Sequence, residues 1–146
     1  MLILAFDPGE STGWCRVDTT AGSICGGSFP LWRGVSQHLL FPAPYPPGWR
    51  PGPDVLLVER FLLYPSAASR LIWDKLHTVE VIGVIKYLAE QLDIKVTMQN
   101  ASVAKSIELA KKPDGFDKHA LDALRHILAF LKRERLLTDQ LKEYMA

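Results

Sequence analysis

Short apolar runs separated by turn-forming residues make up the first 42 residues. The runs LILAF at 2–6, GWCRVDTT from Gly13 and ICGGSFPLW from Ile24 are separated by Gly, Ser and Asp, which favour turns. This pattern predicts three consecutive β-strands that form a meander. Further along, DVLLVERF at 54–61 predicts a fourth, buried strand, and IKVTMQ at 94–99 predicts a short fifth strand.

Longer apolar stretches with helical character lie between and after the last two strands. Residues 67–92 contain no proline and predict one long helix, and residues 101–112 predict a short helix ended by the proline and glycine that follow. A last helix is predicted from Phe116 or Asp117 to about Leu137, with Asp117 as a candidate N-cap. The order of elements therefore predicts an α/β domain with a mixed five-stranded sheet and helices on both faces.

The last predicted helix is amphipathic. At about 100° per residue its apolar half contains Ala120, Ala123, Leu124, Ile127, Phe130 and Leu131. Its polar half contains Lys118, His119, Asp122, Arg125, His126 and Arg133. We interpret His126 as an exposed neighbour of Asp122, and the alternative for both His126 and Asp117 is a supporting position behind a functional site.

Length and composition indicate one globular domain over residues 1–146. The chain is 48% apolar and 23% charged, which is enough apolar material for a core of its own. Residues 42–53 hold six of the ten prolines and predict a loop inside that domain. The formal net charge is only +1, but residues 101–135 carry eight Lys or Arg against five Asp or Glu. This excess is compatible with a polyanionic partner or with an ordinary solvated helix face.

The two cysteines and the apolar runs bear on the cellular compartment. Cys15 and Cys25 have neither the paired nor the histidine-partnered spacing of a zinc site, so we expect reduced, structural thiols. The N-terminal run is too short for a signal peptide, and no stretch approaches the roughly 20 apolar residues of a membrane span. We therefore expect a soluble, cytoplasmic protein without a membrane partner.

Acidic residues follow the two most apolar strands. Asp7 and Glu59 end these strands, and Asp122 lies three residues after His119 near the start of the last helix. If the strands are neighbours and the helix packs across their ends, the side chains converge. Clustered carboxylates with one imidazole suit Mg²⁺ or Mn²⁺, and a pair of such ions supports phosphodiester hydrolysis. The pattern predicts a metal site that includes Asp7.

Each of these residues also has an interpretation without catalysis. Asp7 could accept backbone hydrogen bonds from residues 9 and 10 in a turn, and Glu59 could pair with Arg60 or another basic group. His119 and Asp122 could be the solvated first turn of a helix. Only the combination of the residues favours a catalytic site.

Three segments resemble the RuvC-type Holliday-junction resolvases of the RNase H-like superfamily. FDPGESTGW, VLLVERF and HALDALRH occur in the order and approximate spacing of that family, over about residues 1–130. The resemblance implies an RNase H-like fold and carries the family's catalytic positions onto Asp7, Glu59 and Asp122. His119 falls where many members have an aspartate and others a histidine. A phage member of the family is one possibility that the compact length favours.

The same resemblance implies an activity and an assembly. It implies a structure-selective endodeoxyribonuclease that uses two Mg²⁺ or Mn²⁺ ions per active site to resolve four-way DNA junctions by paired, symmetric nicks. It also implies a homodimer in which the long helix forms part of the interface. It identifies neither a helicase partner nor a preferred cleavage sequence.

Basic and aromatic residues near the predicted site are candidates for contact with DNA. Basic side chains contact phosphates, and the family places an aromatic or apolar residue shortly after the strand-end glutamate. The candidates are Arg60, Phe61, Leu62, Tyr64, Arg70, Lys105, Lys111, Lys112 and Lys118. Ordinary surface lysines are the alternative for the basic members of this set.

Other functions are compatible with parts of the pattern. The spacing D-x-G-x-x-x-G from Asp7 also resembles the first phosphate loop of actin-like ATPases and sugar kinases, which need two such domains. RNase H-like nucleases also cut RNA–DNA hybrids and other branched DNA. A module that binds branched DNA without cutting it is a further alternative.

Overall fold

The computed structural model describes residues 1–40, 52–62 and 76–146. Its strands are β1 (Leu2–Asp7), β2 (Ser11–Asp18), β3 (Ser23–Pro30), β4 (Val55–Glu59) and β5 (Val96–Gln99). Its helices are α1 (Val35–Leu39), α2 (His77–Gln91), α3 (Ala101–Lys105), α4 (Lys118–Arg133) and α5 (Asp139–Lys142). Most of the predicted proline-rich loop at 42–53 and the first part of the predicted long helix at 67–92 lie outside the described residues.

The strands form one mixed sheet in the order β3-β2-β1-β4-β5. The neighbours β3, β2 and β1 are antiparallel, whereas β4 is parallel to both β1 and β5. The predicted mixed five-stranded sheet with an antiparallel meander is confirmed. Because β1 and β4 are parallel neighbours with Phe6 beside Val58, their carboxyl ends meet at one edge.

Alternation along the central strands assigns the two sheet faces to different helices. Ile3, Ala5 and Leu57 are fully buried in a core with α4, whereas Leu4 and Phe6 are buried in a second core with α1 and α2. Helices therefore cover both faces, as predicted. Because side chains two residues apart in a strand share a face, Asp7 and Glu59 continue the α4 face beyond its apolar core.

The chain after β3 departs from the predicted pattern. The third strand ends at Pro30, and the five-residue helix α1 follows. A helix of little more than one turn gives too short a periodic signal to be recognised in the sequence.

The predicted helix over 101–112 is wrong beyond Lys105. The Ser106 hydroxyl donates to the carbonyl of Val103 at 2.6 Å, and the Ala110 N–H donates to the carbonyl of Tyr144 at 2.9 Å. A side chain that bonds to the preceding turn competes with helix continuation, and the following backbone pairs with the C-terminal segment instead.

The last predicted helix also ends early, at Arg133 rather than near Leu137. Arg135 adopts a φ of +59°, and the Leu136 N–H donates back to the carbonyl of Leu131 at 2.8 Å. This is a helix C-terminal motif with a left-handed residue, which arginine occupies in place of the usual glycine. The short helix α5 follows, with the Thr138 side chain accepting from the Leu141 N–H at its start.

Both cysteines are free thiols, as predicted. Cys15 is fully buried in the core beneath α4, and Cys25 is partly exposed. An Arg16 guanidinium nitrogen donates to the Cys25 sulfur at 3.2 Å. In the described ranges, no helix has the length and apolarity that crossing a bilayer requires.

Close approach of α4 to β2 depends on a glycine. Gly13 lies opposite Asp7 in the sheet, and a Cβ built on Gly13 would overlap with the carbonyl group of His119. Any larger residue at this position would push the start of α4 away from the sheet. Gly13 therefore sets the distance between the first turn of α4 and the end of β1.

We expect Gly13→Ala to lower the free energy of unfolding by about 2–3 kcal/mol, because backbone would have to move to admit the methyl group. Urea denaturation followed by circular dichroism measures this change. Gly83→Ala is the matched control: a Cβ on Gly83 meets nothing within 4 Å, and the helical site should gain up to about 1 kcal/mol. Wild-type stability in Gly13→Ala would contradict the packing described for α4.

His38 lies in an aromatic stack on the other face of the sheet. Its ring centroid is 3.8 Å from that of Trp14 and 5.7 Å from that of Phe29. Burial, with a smaller effect from the charge of Arg16, lowers the pKa of His38 from 6.5 to about 4. The folded protein therefore holds this imidazole neutral over a pH range in which the unfolded chain protonates it.

Because the pKa of His38 is lower in the folded state, stability should decline as the pH falls from about 6.5 to about 4 and then level off with respect to this group. Partial exposure limits the expected loss to about 1–2 kcal/mol. Denaturation of the wild type and His38→Phe at several pH values isolates the effect, since the other groups titrate in both proteins. Parallel stability curves for the two proteins would contradict this prediction.

Candidate active site

An open cleft of about 680 Å³ lies at the carboxyl ends of β1 and β4, beside the start of α4. All four predicted catalytic residues line it, together with two of the predicted DNA-binding lysines. The lining residues include Asp7, Glu59, His119, Asp122, Lys105, Lys118 and the exposed Glu10. The predicted convergence of two strand ends and one helix is therefore present in the structure.

Asp7 carries the most perturbed carboxyl of the cleft. Burial, followed by the negative charges of Glu59 and Asp122, raises the pKa of Asp7 from 3.8 to about 7, and the positive charge of Lys118 opposes part of this shift. No described residue donates a hydrogen bond to this carboxyl. The Gly9 N–H donates to the Thr12 hydroxyl at 3.4 Å, so this N–H is not capped by Asp7.

The other two carboxylates have basic partners. Glu59 Oε2 lies 2.9 Å from Nε2 of His126, and Asp122 Oδ1 lies 2.5 Å from a guanidinium nitrogen of Arg125. Glu59 thus pairs with a histidine rather than with Arg60, the partner considered from the sequence. Both carboxylates retain oxygens that are not used in these contacts.

Asp117 fixes the start of α4, as predicted for an N-cap. One carboxylate oxygen accepts from the Ala120 N–H at 2.8 Å, and the other accepts from the Ser28 hydroxyl on β3. The cap ties the first turn of the helix to the edge of the sheet. The turn that follows therefore projects Lys118, His119 and Asp122 towards the cleft.

The prediction that His126 is exposed is wrong. Its side chain is 1% exposed and forms hydrogen bonds with Glu59 and with Gln99, the latter at 2.7 Å from Nδ1. A helical wheel places His126 on the polar half of α4, but it contains no information about the strands that the helix crosses. Its alternative interpretation, a supporting position behind the site, agrees with this geometry.

Two residues at the site were not identified from the sequence. Gln99 ends the edge strand β5 and lies in register with Glu59, and Glu10 lies in the turn after β1. Gln99 is only 4% exposed, which is unusual for glutamine at a strand end. One indication of this role is present in the sequence: Gln99 ends the fifth apolar run, just as Glu59 ends the fourth.

The donor set suits a hard divalent cation. Asp7, Glu59, Asp122 and His119 face one cleft together with the exposed Glu10, and burial with the charges of Glu59 and Asp122 raises the pKa of Asp7. Oxygen-rich sets of this kind match Mg²⁺ or Mn²⁺. Within the described ranges, no three Asp, Glu, His or Cys side chains are arranged as a ready cluster for one ion. Metal binding by Asp7, Glu59, His119 and Asp122 stays a prediction.

The seven predicted DNA-binding residues that the structure describes fall into three groups. Lys105 and Lys118 line the main cleft. Arg60, Phe61 and Leu62 line an adjacent cleft of about 260 Å³. Glu59 lines both clefts.

The other two described candidates, Lys111 and Lys112, do not line either cleft. The Lys111 ammonium pairs with the Glu143 carboxylate at 2.7 Å, and Lys112 is exposed without lining the main cleft. Tyr64 and Arg70 lie outside the described residues. The structure therefore brings five of the candidates to the two clefts.

Solved structures that share this fold include Holliday-junction resolvases. RuvC of Thermus thermophilus, in complex with Holliday junction substrate, matches with a TM-score of 0.63 and 17% identity over 93% of this chain and 97% of that chain. A second structure of the same protein matches with a TM-score of 0.55 and 16% identity, over 93% of this chain and 98% of that chain. The fowlpox virus Holliday junction resolvase matches with a TM-score of 0.56 and 15% identity, over 92% of this chain and 99% of that chain.

The identities are low, so these matches establish a shared fold over nearly the whole chain. It is the fold of the RuvC and fowlpox virus resolvase structures, as predicted. No protein-family model matches the chain, and no curated protein matches its sequence.

We expect Asp7→Asn to stabilise the metal-free protein by about 1–2 kcal/mol, because the substitution removes a half-buried charge beside two other carboxylates. Thermal unfolding in EDTA at pH 8 measures the change. Asp18→Asn, at the end of β2 where Asp18 accepts from the Thr20 N–H at 2.9 Å, is the control and should not gain stability. A clear loss of stability in Asp7→Asn would indicate a structural role for this carboxylate.

Proposed function

We propose that this protein is a divalent-metal-dependent endonuclease that resolves four-way DNA junctions. The observation that carries the proposal is the convergence of Asp7, Glu59, His119 and Asp122 on one cleft. The cleft lies in a fold shared over nearly the whole chain with resolvases from a bacterium and a virus. A fold alone does not specify an activity, so the proposal depends on the residues of the cleft.

Asp7, Glu59 and Asp122 would hold two Mg²⁺ or Mn²⁺ ions, with His119 as a further ligand. When bound, such ions activate a water and stabilise the leaving oxygen in phosphodiester hydrolysis. The repulsion among the carboxylates supports this assignment, because a cation in the cleft would relieve it. Asp7, with no basic hydrogen-bond partner among the described residues, is the carboxylate best placed to gain from a cation.

His119 has a second possible role at the same position. It lies one turn before Asp122 on α4, and it lines the cleft. An imidazole there can accept a proton from the attacking water or orient that water by a hydrogen bond. Either role uses the ring next to the scissile phosphate, and neither requires a change in the position of α4.

Basic residues around the acids would hold the DNA backbone. Lys105 on α3 and Lys118 on α4 line the cleft with the carboxylates and offer ammonium groups to phosphates. Such contacts position a strand without reading its sequence. They also offset the negative charge of the cleft, which would otherwise repel the substrate.

The adjacent cleft is suited to the unpaired bases of a branch point. Phe61 and Leu62 lie two and three residues after the strand-end Glu59, and Leu62 is 43% exposed. An exposed apolar side chain can insert between bases at a junction, where stacking is already interrupted. Arg60 lines the same cleft and can contact the neighbouring phosphates.

Resolution by paired nicks requires two active sites in a symmetric assembly. We propose a homodimer that uses the outward face of α2. This face carries Val79 and Tyr87, which are 46% and 62% exposed and lie two turns apart on either side of Gly83. Exposed apolar side chains along one helix stripe are typical of a surface that a second copy covers.

Cleavage of a panel of labelled DNA tests the proposal. The panel contains a four-way junction, a three-way junction, a splayed duplex, a plain duplex and an RNA–DNA hybrid, each with Mg²⁺, Mn²⁺ or EDTA. We expect paired, symmetric nicks in the four-way junction that disappear in EDTA. Asp7→Asn should lose at least about 10³-fold in rate, because a metal ligand is removed, while it still binds the junction. The control Asp18→Asn should cut like the wild type.

The other outcomes identify the alternatives. Preferential cutting of the hybrid or of the splayed duplex would retain the site and change the substrate. Unpaired single nicks in the four-way junction would contradict the proposed dimer. Tight junction binding without metal-dependent cutting would indicate a module that binds branched DNA. If no substrate is bound or cut, the nuclease proposal fails.

A further inference from the structure

We propose that His126 is a positioning residue for Glu59, and that Gln99 in turn fixes the His126 ring. The inference rests on the proposed function, because it assigns these residues to the support of a carboxylate of the active site. Neither His126 nor Gln99 lines the cleft, so neither can touch a substrate there. Their effect must reach the reaction through Glu59.

The contacts form a continuous chain from the interior to the cleft. His126 Nε2 lies 2.9 Å from Glu59 Oε2, and Nδ1 lies 2.7 Å from the Gln99 side-chain amide. The exposed fraction of the side chain rises from 1% in His126 to 27% in Glu59. A hydrogen bond with one partner fully buried is screened little by water and holds its geometry well.

The chain of contacts links two of the elements that carry the acids, β4 and α4, to the edge strand β5. Glu59 and Gln99 are paired residues at the ends of the parallel strands β4 and β5, so their side chains share the face beneath α4. His126 lies one helical turn after Asp122 on α4. The contact to Glu59 therefore ties the end of β4 to the helix that presents Asp122 and His119.

The hydrogen-bonding groups define which atoms donate. An ionised Glu59 only accepts, so Nε2 of His126 carries the hydrogen of that bond. When the ring carries its single hydrogen on Nε2, Nδ1 is an acceptor and needs a donor. The Gln99 amide nitrogen is buried without a hydrogen-bond partner among the described residues, while its oxygen faces Nδ1. Exchanging the amide oxygen and nitrogen of Gln99 gives Nδ1 its donor.

This arrangement restrains one carboxylate and leaves one of its oxygens available. With Oε2 engaged by His126, rotation of the Glu59 carboxylate is restricted, and Oε1 is the oxygen left for a cation or water in the cleft. Partners behind metal ligands act in this way, and removing them typically weakens metal binding roughly 10–100-fold. Glu59 is thus oriented before any ligand arrives.

The test compares His126→Leu, which removes both hydrogen bonds, with His126→Gln, whose amide nitrogen can reach the former position of Nε2. Three quantities are measured for each folded variant and for the wild type: Mn²⁺ affinity by electron paramagnetic resonance without DNA, kcat and KM on the four-way junction, and thermal unfolding. In ¹⁵N-histidine spectra of the wild type, we expect a slowly exchanging hydrogen on Nε2 of His126.

We expect His126→Leu to bind Mn²⁺ at least about 10-fold more weakly and to lose kcat with little change in KM, since the junction contacts remain. His126→Gln should recover much of both losses. Should His126→Leu not fold, Gln99→Leu replaces it, and we expect a smaller change in the same direction, because the ring is retained without its second partner.

Separate results would overturn the inference and the proposed function. A folded His126→Leu with wild-type Mn²⁺ affinity and kcat overturns the inference, as does an Nε2 without a hydrogen or a His126→Gln that recovers nothing. If His126→Leu weakens Mn²⁺ binding while the wild type cuts no DNA, the inference stands and the proposed function fails. A wild type that binds no Mn²⁺ overturns both.

Discussion

Close packing of α4 across the sheet is the constraint on which the candidate site depends. The helix buries Ala120, Ala123 and Leu124 against the inner face of β1 and β2. Because Gly13 has no side chain, the first turn of the helix can approach β2 closely. Apolar burial drives this contact, and the small residues determine its distance. The carboxylates of strands distant in sequence meet the helix only because that distance is short.

The same packing creates an electrostatic cost. It brings Asp7, Glu59 and Asp122 to one partly buried cleft, where burial and like charges raise the pKa of Asp7 to about 7. Glu59 is hydrogen-bonded to His126, and the charge of Asp122 is offset by Arg125. A well-packed core beneath the cleft supports such a concentration of charge, as is usual where a site is arranged for a ligand rather than for stability.

Much of this arrangement was predictable from the sequence, because it follows from local patterns. The apolar runs ending in Asp7 and Glu59, and the amphipathic α4 with its Asp117 cap, predicted the convergence of the acids. The burial of His126 was not predictable, because it depends on which strands the helix crosses. The early end of α4 depends on a left-handed Arg135, a conformation that arginine rarely adopts and that the sequence does not signal.

The central claim is that the clustered carboxylates form a divalent-metal site, and anomalous diffraction from crystals soaked in Mn²⁺ tests it most directly. The account predicts two Mn²⁺ peaks in the cleft, ligated by Asp7, Glu59 and Asp122, with His119 at or near one of them. Both peaks should be absent in Asp7→Asn crystals soaked in the same way. A cleft without Mn²⁺ in the wild type, with Asp122 still paired to Arg125, would contradict the account.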